Sequence, residues 1–105
     1  MDMTTFQTLS LKTWHPPKGK SAYVLAYAAT SLAEEAGEFA GEMKKMIRDD
    51  KECLSETRRQ NAALELGDVL YYVAAAAAEL GFTLNQIAEM NRRKIEARYG
   101  AESGD

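Results

Sequence analysis

Apolar residues recur at three- and four-residue spacings along most of the chain, the period of helices that bury one face. Four helical segments follow. The first runs from about residue 5 to 14, with Thr4 and Gln7 spaced as a capping box. His15-Pro16-Pro17-Lys18-Gly19-Lys20 breaks the chain. The second starts after Ser21 and reaches about Arg48, with the apolar stripe Leu25, Leu32, Ala36, Phe39 and Met43. A polar link over residues 49–54 holds the lone Cys53. The third starts near Ser55 and ends at Gly81, a residue type that suits the position just past a helix. Its stripe is Ala62, Leu66, Val69, Leu70, Val73, Ala77 and Leu80. Thr83 and Gln86 form a second possible capping box, opening a fourth helix that ends at Gly100. Its stripe is Leu84, Ile87, Ala88, Asn91 and Ile95. Residues 101–105 read as a disordered tail. Alanine is abundant, both prolines sit together, and strand-forming Val and Ile are scarce. The expected fold class is therefore all-α, a four-helix bundle. No repeat or linker divides the chain, so residues 1–105 read as one domain with its core over about 4–100.

Length adds an expectation about assembly. A compact domain of 105 residues is roughly 33 Å across, whereas a helix of about 27 residues is roughly 40 Å long. The two long helices overhang such a core, so they must bend or pack against a second chain. Gly37 and Gly41 suit either role. Tyr23, Tyr27, Gly37 and Gly41 lie on the side of the second helix away from its apolar stripe, and that side is expected to contact another subunit of a homodimer or homotetramer. A net charge of −3 gives no general reason to bind nucleic acid. One cysteine and one histidine exclude a disulfide framework, a Cys-rich zinc site and a site with two His ligands. No apolar run approaches the ~20 residues of a membrane span, and residues 1–10 do not read as a signal peptide, so the expected location is cytoplasmic, away from membranes.

The carboxylates carry most of the chemistry. On a helical wheel Glu35, Glu38 and Glu42 form a stripe with Ser31, roughly 90–100° from the apolar stripe of the second helix. Glu34 points further round. The third helix repeats the arrangement, with Asn61, Glu65, Asp68 and Tyr72 on the shoulder of its own stripe. In an antiparallel pair, Glu35 and Glu38 face Glu65 and Asp68. A lone helical Glu is ordinarily solvated. Two i,i+3 acid pairs, each beside a core stripe, instead make an all-oxygen ligand set suited to Mg²⁺ or Mn²⁺. Acids so clustered raise one another's pKa and call for positive compensation.

The fourth helix supplies cations. Asn91 falls inside its apolar stripe, where an amide needs a partner. Lys94 and Arg98 follow on nearly the same face. A basic helix C-terminus complements the macrodipole in any case, which accounts for Arg98 and leaves Asn91 unexplained. Acids with a metal, beside Asn, Lys and Arg, would make a receptor for a polyphosphate.

Glu34-Glu35-Ala36-Gly37-Glu38 matches an EExxE motif and Glu65-Leu66-Gly67-Asp68 an ExxD motif, separated by a 26-residue gap. Asn91 to Tyr99 reads N-x-x-K-x-x-x-R-Y. Together these resemble the MazG-like nucleotide pyrophosphohydrolases over about residues 21–99. The resemblance implies an all-α bundle assembled as a dimer or a dimer of dimers. It also implies Mg²⁺-dependent hydrolysis of nucleoside triphosphates to the monophosphate and pyrophosphate, as in clearing the nucleotide pool. Carried over residue by residue, Glu35, Glu38, Glu65 and Asp68 become metal ligands. Glu34, Glu35 and Glu38 form the catalytic motif, with Glu34 orienting the site or activating water. Asn91, Lys94 and Arg98 would hold phosphates or sugar.

The base side is open to two readings. Trp14 and His15 beside the Pro16-Pro17 break could lid a nucleobase, or Trp14 could fill the core and His15 be solvated. Tyr72 could stack on a base or pack in the bundle. Glu42 shares the acid stripe but lies outside the motif, so Glu42→Gln is expected to be nearly silent. Two other functions compete with the pyrophosphohydrolase: a catalytically weak nucleotide- or metal-binding module of the same fold, and a plain helical interaction protein with acids as surface.

Overall fold

Local chemistry sets where each helix starts and stops. The computed structural model describes residues 1–100 and places helices at α1 (Met3–Thr13), α2 (Ser21–Asp49), α3 (Glu56–Glu79) and α4 (Leu84–Tyr99). Those residues form no strand, so the chain is all-α as the periodicity predicts. The expectation for residues 101–105 lies outside the described residues. Ser55 caps α3 by accepting from the Arg58 N–H. Thr83 and Gln86 close a reciprocal capping box at the start of α4. Between them the chain makes a tight turn: Gly81 adopts φ +86°, the Gly81 N–H donates to Ala78 O, and the Phe82 N–H donates to Ala77 O. That paired pattern satisfies the last carbonyls of α3 and needs a residue free to take the left-handed region.

The Thr4–Gln7 capping box is not formed. Asp2 caps α1 instead, its carboxylate accepting from Thr5 N–H at 2.8 Å, which lowers the Asp2 pKa. Thr4 is the second residue of the helix, and its hydroxyl accepts from the Asn85 amide. Gln7 turns inward and is buried. Its amide nitrogen donates to Ala74 O and Phe82 O, and its amide oxygen accepts from the Leu84 N–H at 3.1 Å. One side chain thereby ties α1 to the α3–α4 turn, against the core formed by Ala74, Ala77 and Leu84 with Phe6, Val73 and Ile87. Gln7→Leu would orphan the half-buried Phe82 carbonyl and the buried Leu84 N–H. Unsatisfied buried groups cost about 1–3 kcal/mol each, so a loss of roughly 2–4 kcal/mol is expected. Thermal unfolding should register this as a fall of roughly 10 °C or more. An unchanged midpoint would remove Gln7 from this role.

α2 packs along α3, and α4 packs against α1 and α3; no α4 residue comes within 8 Å of α2 between Cα atoms. The described residues spread over 44 × 43 × 25 Å with a radius of gyration of 16.4 Å, against about 13 Å for a compact chain of this length. The core consists mainly of alanines, and among the described residues no large side chain is fully buried. The predicted stripe of α3 is only partly covered: Ala62 and Ala77 are buried, but Leu66 is 50% and Leu80 55% exposed. Ala36 of the α2 stripe is exposed. Asn91, expected inside an apolar stripe, is exposed too, because α4 does not lie along the α2–α3 pair.

Candidate functional site

The acid stripes of α2 and α3 meet midway along the antiparallel pair. Glu35, Glu65 and Asp68 each bring a carboxylate oxygen to within 4.8 Å of the others. Glu35 and Glu65 are half-buried, and Asp68 is exposed. Burial first, then the charges of Asp68, Glu65, Glu34 and Glu38, pushes the Glu35 carboxyl above its ordinary value. Glu65 is raised by burial, then by Asp68, Glu38 and Glu42, with Lys45 opposing. Glu38 is exposed and lies close enough to act electrostatically on both Glu35 and Glu65, although its oxygens stand outside the 4.8 Å group. Glu34 is exposed beside Glu35 and Tyr72.

Three acid oxygens converging without a cation among them fit a hard divalent ion. Neighbouring oxygens on one octahedral Mg²⁺ stand about 2.9 Å apart and opposite ones about 4.2 Å, from its 2.0–2.1 Å bonds, and these three already lie within 4.8 Å of one another. Nitrogen and sulfur ligands are absent from the group, which disfavours softer metals.

An aromatic cluster adjoins the acids. The Trp14 ring lies 5.9 Å from Tyr27 and 6.0 Å edge-on from Tyr72, and Tyr72 meets Tyr71 edge-on at 5.1 Å. The indole N–H of Trp14 donates to Glu79 at 3.0 Å, and Thr13 and Tyr71 hydroxyls pair at 2.8 Å. Burial, then the Glu35 charge, raises the Tyr72 hydroxyl pKa. The structure thus joins Trp14 and Tyr72 at the edge of the acid group and adds Tyr27, which the wheel assigns to a subunit contact. His15 is exposed. Asn91, Lys94 and Arg98 are exposed on α4, and no hydrogen bond or ion pair links them to the acids within the chain. The Arg98 guanidinium sits 5.9 Å over the Tyr99 ring.

Sequence reasoning missed Arg58. Its guanidinium donates to Glu42 at 2.9 Å and to Asp50 at 2.8 and 3.3 Å. Glu42 is only 8% exposed and bonded to Arg58, so it is no solvated bystander, and Glu42→Gln should lower stability even where turnover is unchanged. The helical wheel places Glu42 beside the core but gives no partner sixteen residues away on another helix.

A family model, the MazG nucleotide pyrophosphohydrolase domain, matches residues 26–101. Gene 37 protein of Mycobacterium phage L5 is 36% identical over 74 residues, covering 70% of this chain and 65% of that protein. The chain therefore spans somewhat less than two thirds of that relative's length. No solved structure matches. No described helix is long and apolar enough to cross a membrane. The matched residues span most of the chain and include both acid motifs and the Asn/Lys/Arg segment: the chain belongs to the MazG nucleotide pyrophosphohydrolase domain family.

Proposed function

We propose that this chain is a divalent-metal-dependent nucleoside triphosphate pyrophosphohydrolase, releasing the nucleoside monophosphate and pyrophosphate. The observation that carries the reading is the convergence of Glu35, Glu65 and Asp68 from the two motifs onto one point of the α2–α3 seam. Glu35, Glu38, Glu65 and Asp68 hold Mg²⁺, with Mn²⁺ as a substitute. A metal held by these carboxylates would supply Lewis-acid chemistry, making water more acidic and offsetting charge on the leaving pyrophosphate. Glu34 and Glu38, exposed at the rim, orient the attacking water. Trp14 and Tyr72, with Tyr27, offer ring faces to a nucleobase beside the acids, and His15 borders that side. Asn91, Lys94 and Arg98 grip phosphate oxygens or sugar.

Because α4 stands away from α2 in one chain, these α4 groups serve the acids of a neighbouring subunit. The half-exposed Leu66 and Leu80, and Leu64 at 70% exposure, supply apolar surface for that assembly. A homodimer or homotetramer follows. The expected partner set is the nucleotide and further copies of the chain, without nucleic acid or membrane, and the expected location is cytoplasmic. A catalytically weak module of the same fold is the competing reading; turnover separates the two.

Metal dependence tests the site. Mg²⁺ should raise the melting temperature of the wild type by mass action and leave Glu38→Gln and Asp68→Asn nearly unmoved. Equal rises in all three would mean salt screening alone. The effect has a defined pH sign. Glu35 and Glu65 have folded-state pKa values above the ordinary 4.5, so ionising them costs the metal-free fold stability. That cost is fully present above the raised values and disappears as pH falls below 4.5. Protons and metal compete for the same oxygens. Stabilisation by Mg²⁺ should therefore be complete at neutral pH and vanish as pH falls through the raised values. A shift that is independent of pH would contradict the assignment.

A further inference from the structure

The Glu42–Arg58–Asp50 group takes no part in the chemistry above, yet it is the best-buried charged cluster among the described residues. The Arg58 and Glu42 side chains are 17% and 11% exposed, and Asp50 is 24% exposed. Among the described residues, the Arg58–Glu42 pair is the one hydrogen-bonded tie between α2 and α3. Apart from the acids, the seam is built of small or half-buried apolar side chains around Ala28 and Ala62. Such a seam tolerates sliding, and a buried polar pair is the usual device that sets register.

The position of the pair relative to the acids is informative. Glu35 lies seven residues before Glu42 on α2, and Glu65 lies seven residues after Arg58 on α3. Seven residues is close to two helical turns, about 10 Å, and returns to nearly the same face. The pair and the acid group thus occupy the same face of the same antiparallel seam, equal distances along both helices. A slip of one turn at Arg58–Glu42 would part Glu35 from Glu65 and Asp68. Arg58 is itself anchored twice, because its two remaining guanidinium nitrogens, Nε and Nη2, donate to Asp50, the residue that caps the end of α2. The linker between those helices needs the anchor: Lys51 and Glu52 both take left-handed backbone (φ +55° and +62°), which non-glycine residues rarely adopt.

We infer that Arg58 is a positioning residue for the metal seat, its fork to Glu42 and Asp50 fixing the register in which Glu35 meets Glu65 and Asp68. The inference rests on the metal-binding reading above. Arg58→Lys keeps the charge but cannot make the same fork. Asp50→Asn cuts one arm at the far end of α2, beyond the reach of direct charge effects on the seat. The full chain is titrated with Mn²⁺ and free ion followed by electron paramagnetic resonance, well below each variant's melting temperature and with helicity checked by circular dichroism. Arg58→Lys should bind Mn²⁺ at least about fivefold more weakly than wild type, and Asp50→Asn should be weakened in the same direction. If Arg58→Lys does not fold, Asp50→Asn gives the reading. Folded variants of lower melting temperature but wild-type Mn²⁺ affinity would make Arg58 a stabilising strap only and overturn the inference. A wild type that binds no Mn²⁺ would overturn the metal reading itself, and this inference with it.

Discussion

Glu65→Gln and Asp68→Asn should each abolish turnover, a loss of at least about 10²-fold, while the chain stays helical. Glu35→Gln and Glu38→Gln should do the same. Each replacement keeps the shape and removes one anionic ligand oxygen. Removing an acid from a group that repels itself relieves strain in the metal-free fold, so stability should hold or rise as activity disappears. That pairing of effects identifies a functional site, since a merely structural residue loses both together. Lys94→Ala and Arg98→Ala should leave metal binding intact and weaken substrate binding or transition-state charge stabilisation. Steady-state kinetics and thermal melts on the same samples decide the matter. A Glu65→Gln enzyme with full turnover would detach the acids from the chemistry.

Gly41→Arg should reduce assembly and turnover together. A Cβ built at Gly41 or Gly37 meets nothing within 4 Å, so the single chain leaves room at the start of an added side chain there. The spread of the chain and its exposed leucines leave apolar surface for a second copy to cover. Within one chain α4 makes no close approach to α2, which carries Glu35 and Glu38. Light scattering should show wild type at twice the 11.6 kDa chain mass or more, and Gly41→Arg shifted toward the single chain with activity lost in parallel. A fully active wild type at 11.6 kDa would refute the assembly and leave the acid group standing.

The features legible in the sequence are those whose cause is local. Thr83 and Gln86 cap α4, and Gly81 ends α3, because caps and left-handed turns depend on a few consecutive residues. The meeting of Glu35 with Glu65 and Asp68 was also legible, since two acid stripes beside two apolar stripes leave one way to pair antiparallel helices. What could not be read depends on distant partners. Gln7 has the spacing of a capping box, and its true partners lie at Ala74, Phe82 and Leu84. Arg58 has the look of a surface cation in a first helical turn until Glu42 and Asp50 are folded against it. Asn91 lies in an apolar stripe only if α4 packs along its whole length, and it does not. Trp14 takes the packing reading, set on Tyr27 and Tyr72 and bonded to Glu79, in a position beside the acids that the sequence alone leaves open.

The reaction is tested most directly by its products. Wild-type protein with Mg²⁺ should be incubated with a panel of ribo- and deoxyribonucleoside triphosphates and the phosphorus products resolved by nuclear magnetic resonance. The account predicts monophosphate and pyrophosphate in equal amounts from at least one substrate, with none after chelation or in Asp68→Asn. Orthophosphate with the diphosphate, or pyrophosphate release undiminished in Asp68→Asn, would contradict it.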